Sequence, residues 1–437
     1  MVLSLGRQIG PVSRASLCVA TLVASSGFML CDAIAADLLT TKMPVSYMKQ
    51  CVSEGEDFFY IPGSDVCLRV GGYLWAEGYF NTYTHYPATN DKTYSIGTAG
   101  LILDARTATE YGTLRSYMEY RYHLRSADPW SDGPSETQLQ IWLSYIQFGG
   151  FTAGYAQSFF DFYANEYVQG TDPATIGDDL QINLIAYTAE LGNGLSATLS
   201  VEDGGERNGG IYSVNPAAGS LGSDYEGYQA GTQIPDFVGN LNLTQDWGQA
   251  QLTGAAHQVR SLSFYNQFGN AESNWGYALQ GGLMFNLPML GDGDNVYFQS
   301  AYVDGAISYL GLVDPTNGQY TPPDAFLGPD GVSKVSGWNF TASLLHNWNA
   351  KWSTAFFGGY ASYDYNNQNL RLTYGATGGE NYNVGGYIAY SPIPVFTIYL
   401  QYDYTHIQAS DYLKTKYSAA YEATDANRVL LFFARNF

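Results

Sequence analysis

The sequence predicts an all-β fold, a 16-stranded antiparallel transmembrane β-barrel with short periplasmic turns and long extracellular loops. Three observations predict it: strands with one apolar and one charged face, connections that alternate short and long, and an exported composition. The alternation is clearest from Tyr111 to Arg125. Leu114, Ser116, Met118, Tyr120, Tyr122 and Leu124 share one face of a strand, and Arg115, Tyr117, Glu119, Arg121, His123 and Arg125 share the other. The charged face is too polar for a packed core, and the apolar face is too aromatic for bulk water. Such a strand separates lipid from water. In hydrocarbon every peptide group must be paired and no sheet edge left open, so the sheet has to close.

The rest of the chain repeats the pattern. Val70, Gly72, Leu74, Ala76 and Phe80 oppose Arg69, Tyr73, Trp75, Glu77 and Tyr79. Leu101, Leu103 and Ala105 then oppose Ile102, Asp104 and Arg106, and Glu110-Tyr111-Gly112 turns the chain tightly. Over 137–148, Leu139, Ile141, Leu143 and Tyr145 are expected outward and Gln138, Gln140 and Ser144 inward. Gly149-Gly150 is a hairpin turn into a strand over 151–156. Eleven further segments follow, at about 179–190, 194–202, 236–245, 249–262, 274–287, 295–310, 337–348, 352–366, 381–391, 395–409 and 425–437. Short turns at one end and long loops at the other distinguish a membrane barrel from a soluble sandwich.

Composition sets the compartment. Charged residues are 14% and aromatics 16% of 437 residues, and after residue 36 no run approaches the roughly 18 apolar residues of a spanning helix. A soluble all-β protein shares these figures, so composition alone does not decide. Residues 1–36 read as a signal peptide: Arg7 and Arg14 precede an apolar stretch from Ala15 to Leu30, and Ala33-Ile34-Ala35 offers a cleavage site. Leu30 before Cys31 argues against lipidation. The lead-in over 37–68 retains Cys51 and Cys67, whose pairing suits an oxidising compartment, with a free or reactive pair as the alternative. The barrel is then expected over 69–437.

The formal charge of −21, about −22 without residues 1–36, excludes nucleic acid as a partner. Many carboxylates fall in the loop-like stretches 202–226 and 314–330, where solubility is the plain reading and attraction of cations the functional one. None of the five His lies in a His-Glu-x-x-His motif. Gly192-x-Gly194-x-x-Ala197 fits a loose dinucleotide pattern but precedes a strand, and Asp292-Gly-Asp294 is too short for a calcium loop. No enzyme activity, cofactor or metal is expected.

Two features point further. Val429, Leu431, Phe433 and Phe437 share a face, and a terminal Phe437 on an alternating strand resembles the signal read by outer-membrane assembly machinery. Cys51 through Tyr73, with Phe-Phe-Tyr-Ile-Pro-Gly-Ser-Asp-Val-Cys-Leu-Arg-Val-Gly-Gly-Tyr at its end, resembles the N-terminal signature of the alphaproteobacterial general porins, as does the ending Arg435-Asn436-Phe437. The resemblance implies a homotrimer in outer-membrane lipid and lipopolysaccharide, with a third loop folded inward as a constriction, here about 157–178. It implies passive diffusion of small hydrophilic solutes and ions through a water-filled channel.

On that reading Arg115, Arg121 and Arg125 line one strand, Arg69 and Arg106 lie on its neighbours, and Asp161, Glu166 and Asp172 of the loop face them to set up a transverse field. The competing reading pairs the arginines with Glu77, Asp104 and Glu119 and leaves the loop acids capping turns. Tyr120, Tyr122, Tyr145, Tyr363, Tyr402 and Tyr404 suit interfacial girdles, and Tyr73 and Tyr399 suit lumen lining or a sugar track. A substrate-specific sugar or anion channel is the first alternative, and a secreted soluble β-rich binding protein or hydrolase the second.

Overall fold

The structure, a computed structural model, describes residues 49–437 except 56, 84–91, 127–135, 164, 172–174, 214–227, 264–270, 313–321, 369–370, 372–376 and 409–422. The leader expected over residues 1–36 therefore lies outside the described residues, as does Asp172.

Alternating side chains form sixteen barrel strands. They are β1 (Cys67–Tyr83), β2 (Thr93–Thr109), β3 (Gly112–Arg125), β4 (Glu136–Phe148), β5 (Phe151–Gln157), β6 (Gln181–Gly192), β7 (Leu195–Glu202) and β8 (Asp236–Gln245) in the first half. The second half holds β9 (Gly248–Ser261), β10 (Glu272–Asn286), β11 (Asn295–Asp304), β12 (Ser336–Asn349), β13 (Trp352–Asp364), β14 (Gly378–Ile393), β15 (Phe396–Gln408) and β16 (Ala423–Asn436). Each pairs antiparallel with the next, and β16 returns to β1 from Tyr73↔Asn436 to Tyr83↔Ala426. The amide and carbonyl of Phe437 complete the seam with those of Gly72, both at 3.0 Å. The sheet thus closes on itself, with residues 136–143 of β4 paired on the β3 side alone among the described residues.

Burial follows the alternation. Leu74, Leu139, Leu199 and Phe356 are exposed on the outer wall, whereas Glu77, Gln280, Asn339 and Gln401 are buried on the inner one. That polarity is inverted relative to a soluble protein because the outer medium is apolar. At the short-turn end, Gly149 and Gly150 both adopt positive φ, 58° and 89°, as a two-residue hairpin loop that twists with its strands requires. The strand expected over 295–310 stops at Asp304, and Ile307–Leu310 forms a turn of 3-10 helix instead. Above the barrel, Ile211–Ser213 pairs in parallel with Ala325–Gly328, which pairs with Gly331–Lys334.

One phase shift departs from the sequence expectation. Tyr120 pairs with Ile141 but Glu119 pairs with Leu143, so Trp142 is the extra residue of a β-bulge. Every residue after it changes face. Tyr145 turns inward and stacks on Tyr117 with centroids 5.2 Å apart, while Ile146 and Phe148 become the exposed residues. Tyr145 is thus not a girdle residue. Nor is Tyr363, which is buried against Tyr365 on the inside of β13.

Cys51 and Cys67 form a disulfide. It closes a loop in which Phe59–Tyr60 pairs with Cys67–Leu68, and it presents Phe58 to the guanidinium groups of Arg106 and Arg69 at 4.5 and 5.6 Å. A loop of this length loses about 3 kcal/mol of chain entropy when cross-linked. Cys67→Ser is therefore expected to expose the 49–66 segment to limited proteolysis while the barrel keeps its heat-modifiable gel mobility. Equal protease resistance with and without the bond would contradict this anchoring.

Candidate functional site

The loop between β5 and β6 lies inside the barrel, held by the inner wall through its own main chain. Asn240, Gln251 and Gln280, on β8, β9 and β10, donate to the carbonyls of Phe159, Asp161 and Phe160 at 2.8, 2.8 and 2.7 Å. Gln299 on β11 accepts from Tyr163 N–H and Gln401 on β15 from Gln169 N–H, both at 2.9 Å. At the far end Glu77 on β1 accepts from the Thr171 amide at 2.8 Å and from its hydroxyl at 2.6 Å. The returning limb is tied by Thr341, which donates to Ile176 O at 2.7 Å, and by Asn383, which accepts from Ile176 N–H at 3.3 Å. These wall side chains sit where β alternation points them inward, and all are buried. An amide side chain can donate or accept, so one residue type serves both polarities of the loop backbone. Gly170 is forced by the close approach, since a β-carbon there would sit 2.4 Å from the Tyr79 hydroxyl at a φ of 96°.

A second set of contacts fixes the loop base. Arg207, fully buried, donates through Nη1 to Asp178 Oδ2 at 2.6 Å and lies 3.9 Å from Asp161 Oδ1, its guanidinium 4.1 Å from the Tyr309 ring centroid. Tyr309 donates to Asp236 at 2.7 Å, and Asp236 faces His257 at 2.9 Å. Ser158 and the Phe159 amide donate to Glu202 at 2.7 and 3.1 Å. Burial and the neighbouring Asp178 push the Asp161 carboxyl well above its usual range. Burial by itself would lower the pKa of Arg207, but Asp178, Tyr309, Asp161 and Glu202 outweigh it and keep the guanidinium charged.

Opposite, the arginines of β1–β3 form tiers along the lumen. In the lower one Asp104, with a fully buried side chain, receives Arg115 Nε at 3.0 Å and Arg106 Nη2 at 2.9 Å, with Arg69 Nη2 at 3.8 Å. Glu54 adds a carboxylate 3.6 Å from Arg106. Higher, Arg121 pairs with Glu119 at 3.1 Å and donates to the Tyr73 hydroxyl, and Arg125 lies 5.3 Å from the Tyr94 ring. Asp104 and Glu119 thus take the pairing role considered from sequence, whereas Glu77 holds the loop. Between Arg121 and Arg125 the wall opens into a recess of about 230 Å³, which Thr171 of the loop helps to line.

The loop acids behave differently from the expectation. Asp161 does not face the arginines of β1–β3: it accepts from the Leu180 amide at 2.9 Å and from Gln157, buried behind the loop. Glu166 is exposed on the loop. Sequence reasoning missed Trp142, Arg207 and the Asn/Gln wall, and it places Asp178 in the loop without its partner Arg207. For Trp142 the signal was the run Ile141-Trp142-Leu143, three apolar residues where alternation permits no such run. For the wall it was Gln251, Gln280, Gln299 and Gln401 recurring on inward positions.

A closed sheet of this size with a greasy exterior, a wet interior and a loop lying within it defines the class of outer-membrane channel barrels. The family model described as "Porin subfamily" matches residues 37–432, and the chain belongs to that family. Porin Omp2b of Brucella suis is 32% identical over 241 residues, which cover 52% of this chain and 61% of that protein. Porin Omp2b of Brucella melitensis is 31% identical over 242 residues, with the same coverage of each chain. The match thus takes in less than two thirds of these relatives' length. Among solved structures, the outer membrane channel DcaP of Acinetobacter baumannii superposes with a TM-score of 0.61 at 14% identity, over 86% of this chain and 99% of that one, a likeness of fold. The family places the protein in the bacterial outer membrane.

Removing one partner of a buried ion pair costs about 3–5 kcal/mol because it strands the other charge. Arg207→Met is therefore expected to loosen the loop base, seen as rapid flickering in single-channel records and as protease cleavage within 158–179. Quiet traces and an intact loop would contradict the lock.

Proposed function

We propose that the chain forms a water-filled channel for passive diffusion of small hydrophilic solutes and ions across the outer membrane. The observation that carries this reading is the disposition of the loop. Bound along β8–β15 and reaching β1, it occupies the far side of the lumen and leaves a passage bordered by the arginines of β1–β3. A barrel of this strand number is wide enough for water, so the narrowest level filters by size and charge. Arg69, Arg106, Arg115, Arg121 and Arg125 form one side of that constriction and Glu166 the other, and the resulting transverse field orders water and disfavours bulky apolar solutes. Pairing tempers the field: three arginines share Asp104, so the lower tier carries less charge than its arginine count suggests.

The protein assembles as a homotrimer on this reading. Supporting it, β5 and β7 have only 7 and 8 residues, short of the roughly 9–11 a tilted strand needs to cross hydrocarbon, so that wall calls for cover by a neighbour. Phe437, at the closing seam, serves as the assembly signal.

Purified protein is expected to conduct in planar bilayers in steps of three and to migrate as a heat-sensitive trimer on gels. Replacing Arg115 and Arg121 together by Gln is expected to shift the reversal potential in a salt gradient by several millivolts toward cation preference. An unchanged reversal potential would remove these two residues from the filter.

A further inference from the structure

The bulge at Trp142 keeps the apolar residues on both sides of it, Leu139 and Ile141 before and Ile146 and Phe148 after, on the outer wall. It has a second effect at the bulged residue itself. It turns the indole into the lumen with the Arg121 guanidinium 3.6 Å from the ring centroid, a close cation–π contact. Arg121 is thereby held from three sides: Glu119 and Tyr73 on its Nε, Glu119 again on Nη2, and Trp142 across its face. Its Nη1 makes no hydrogen bond among the described residues. Register then sets His123 opposite Gln138 and Arg121 opposite Gln140. The recess of about 230 Å³ between them has two guanidinium groups, two primary amides, the His123 imidazole and an indole on its walls, with Ile96 and Thr171 completing it.

We propose that this recess is a solute-binding station for a hydroxylated six-membered ring bearing a carboxylate, the chemistry of an acidic monosaccharide. The inference rests on the channel reading and specifies it. The carboxylate pairs with Arg121 Nη1 and Arg125, donors that suit an anion in a wet lumen. Ring hydroxyls exchange hydrogen bonds with Gln138 and Gln140, each able to donate and accept. The ring's C–H face lies on Trp142 and Ile96, apolar surface that water covers poorly. A neutral sugar lacks the ionic contact, and a small acid such as acetate lacks the ring contact, so each loses part of the recognition. Because Trp142 covers the guanidinium face and Glu119 holds its edge, Arg121 meets the solute already oriented.

The test is single-channel recording in planar bilayers with D-glucuronate, D-glucose or acetate added to the salt. Glucuronate is expected to interrupt the current at concentrations roughly tenfold lower than either comparison solute. Trp142→Ala and Arg121→Gln should each abolish that preference, and Trp142→Phe should retain most of it. Three solutes acting alike on the wild-type channel would overturn the station while leaving the porin reading intact, because ion conductance would still be present. Absence of any conductance would overturn that reading and the station with it. Should Trp142→Ala fail to insert, Gln140→Leu serves as the second variant, and an undiminished glucuronate block in it would overturn the hydroxyl contacts. Gel mobility after mild heating checks that each variant is folded.

Discussion

Everything in this molecule depends on finding a partner for each peptide group away from bulk solvent. In hydrocarbon an unpaired N–H or C=O costs several kcal/mol, and a closed antiparallel ladder is the solution for strands. The seam between β1 and β16, finished by Phe437 and Gly72, closes the sheet on itself. Closure then divides the side chains by face, and two solvents of opposite polarity select what each face carries.

The same constraint reappears inside. A loop drawn into the lumen cannot form a ladder with the wall, whose backbone is already paired. Its amides and carbonyls go to side chains instead, to Asn240, Gln251, Gln280, Gln299, Asn383 and Gln401 in turn, and the tip goes to Glu77. The polar interior is therefore a binding surface for the protein's own chain as well as a lining for water. Because that surface runs round β8–β15 and meets β1 only at the loop tip, the space it leaves lies along the arginine-bearing wall of β1–β3. There the arginines are spread along the lumen and partly compensated by Asp104 and Glu119. An arginine cluster on a single bare wall would repel itself. Sharing a buried carboxylate fixes the guanidinium positions.

Strand existence was legible in the sequence because an alternating pattern between two solvents is a repeated, redundant signal, and each of the sixteen segments read that way is a strand. The arginines were legible for the same reason, since parity alone turns Arg115, Arg121 and Arg125 inward. Where parity fails, reading fails. One inserted residue at Trp142 reverses the faces of Leu143 and Tyr145, and nothing in the composition of the individual residues marks it beyond the apolar run itself. In the inward loop no period exists, so Asp161 could not be distinguished from Glu166. One is buried against Gln157 and the Leu180 amide while the other is exposed. Tyr363 shares its face with Phe357, and the adjacent pair Phe356-Phe357 gives no parity signal for which of the two faces turns inward. Arg207 belongs to a different loop from Asp178, and a pairing of that sequence separation leaves no local trace.

The inward course of the loop is the claim on which the passage, its charge and its solute station all rest. Thr98 on β2 and Thr171 at the loop tip have their hydroxyl oxygens 3.4 Å apart, so side chains at the two positions meet. The direct measurement is thiol cross-linking of a Thr98→Cys/Thr171→Cys double variant, with the Cys51–Cys67 bond intact, in the folded outer-membrane protein. Spontaneous bond formation, seen as loss of both free thiols and a changed unfolded-state mobility, is the predicted result. Two thiols that stay free and react independently with a bulky reagent would contradict the account.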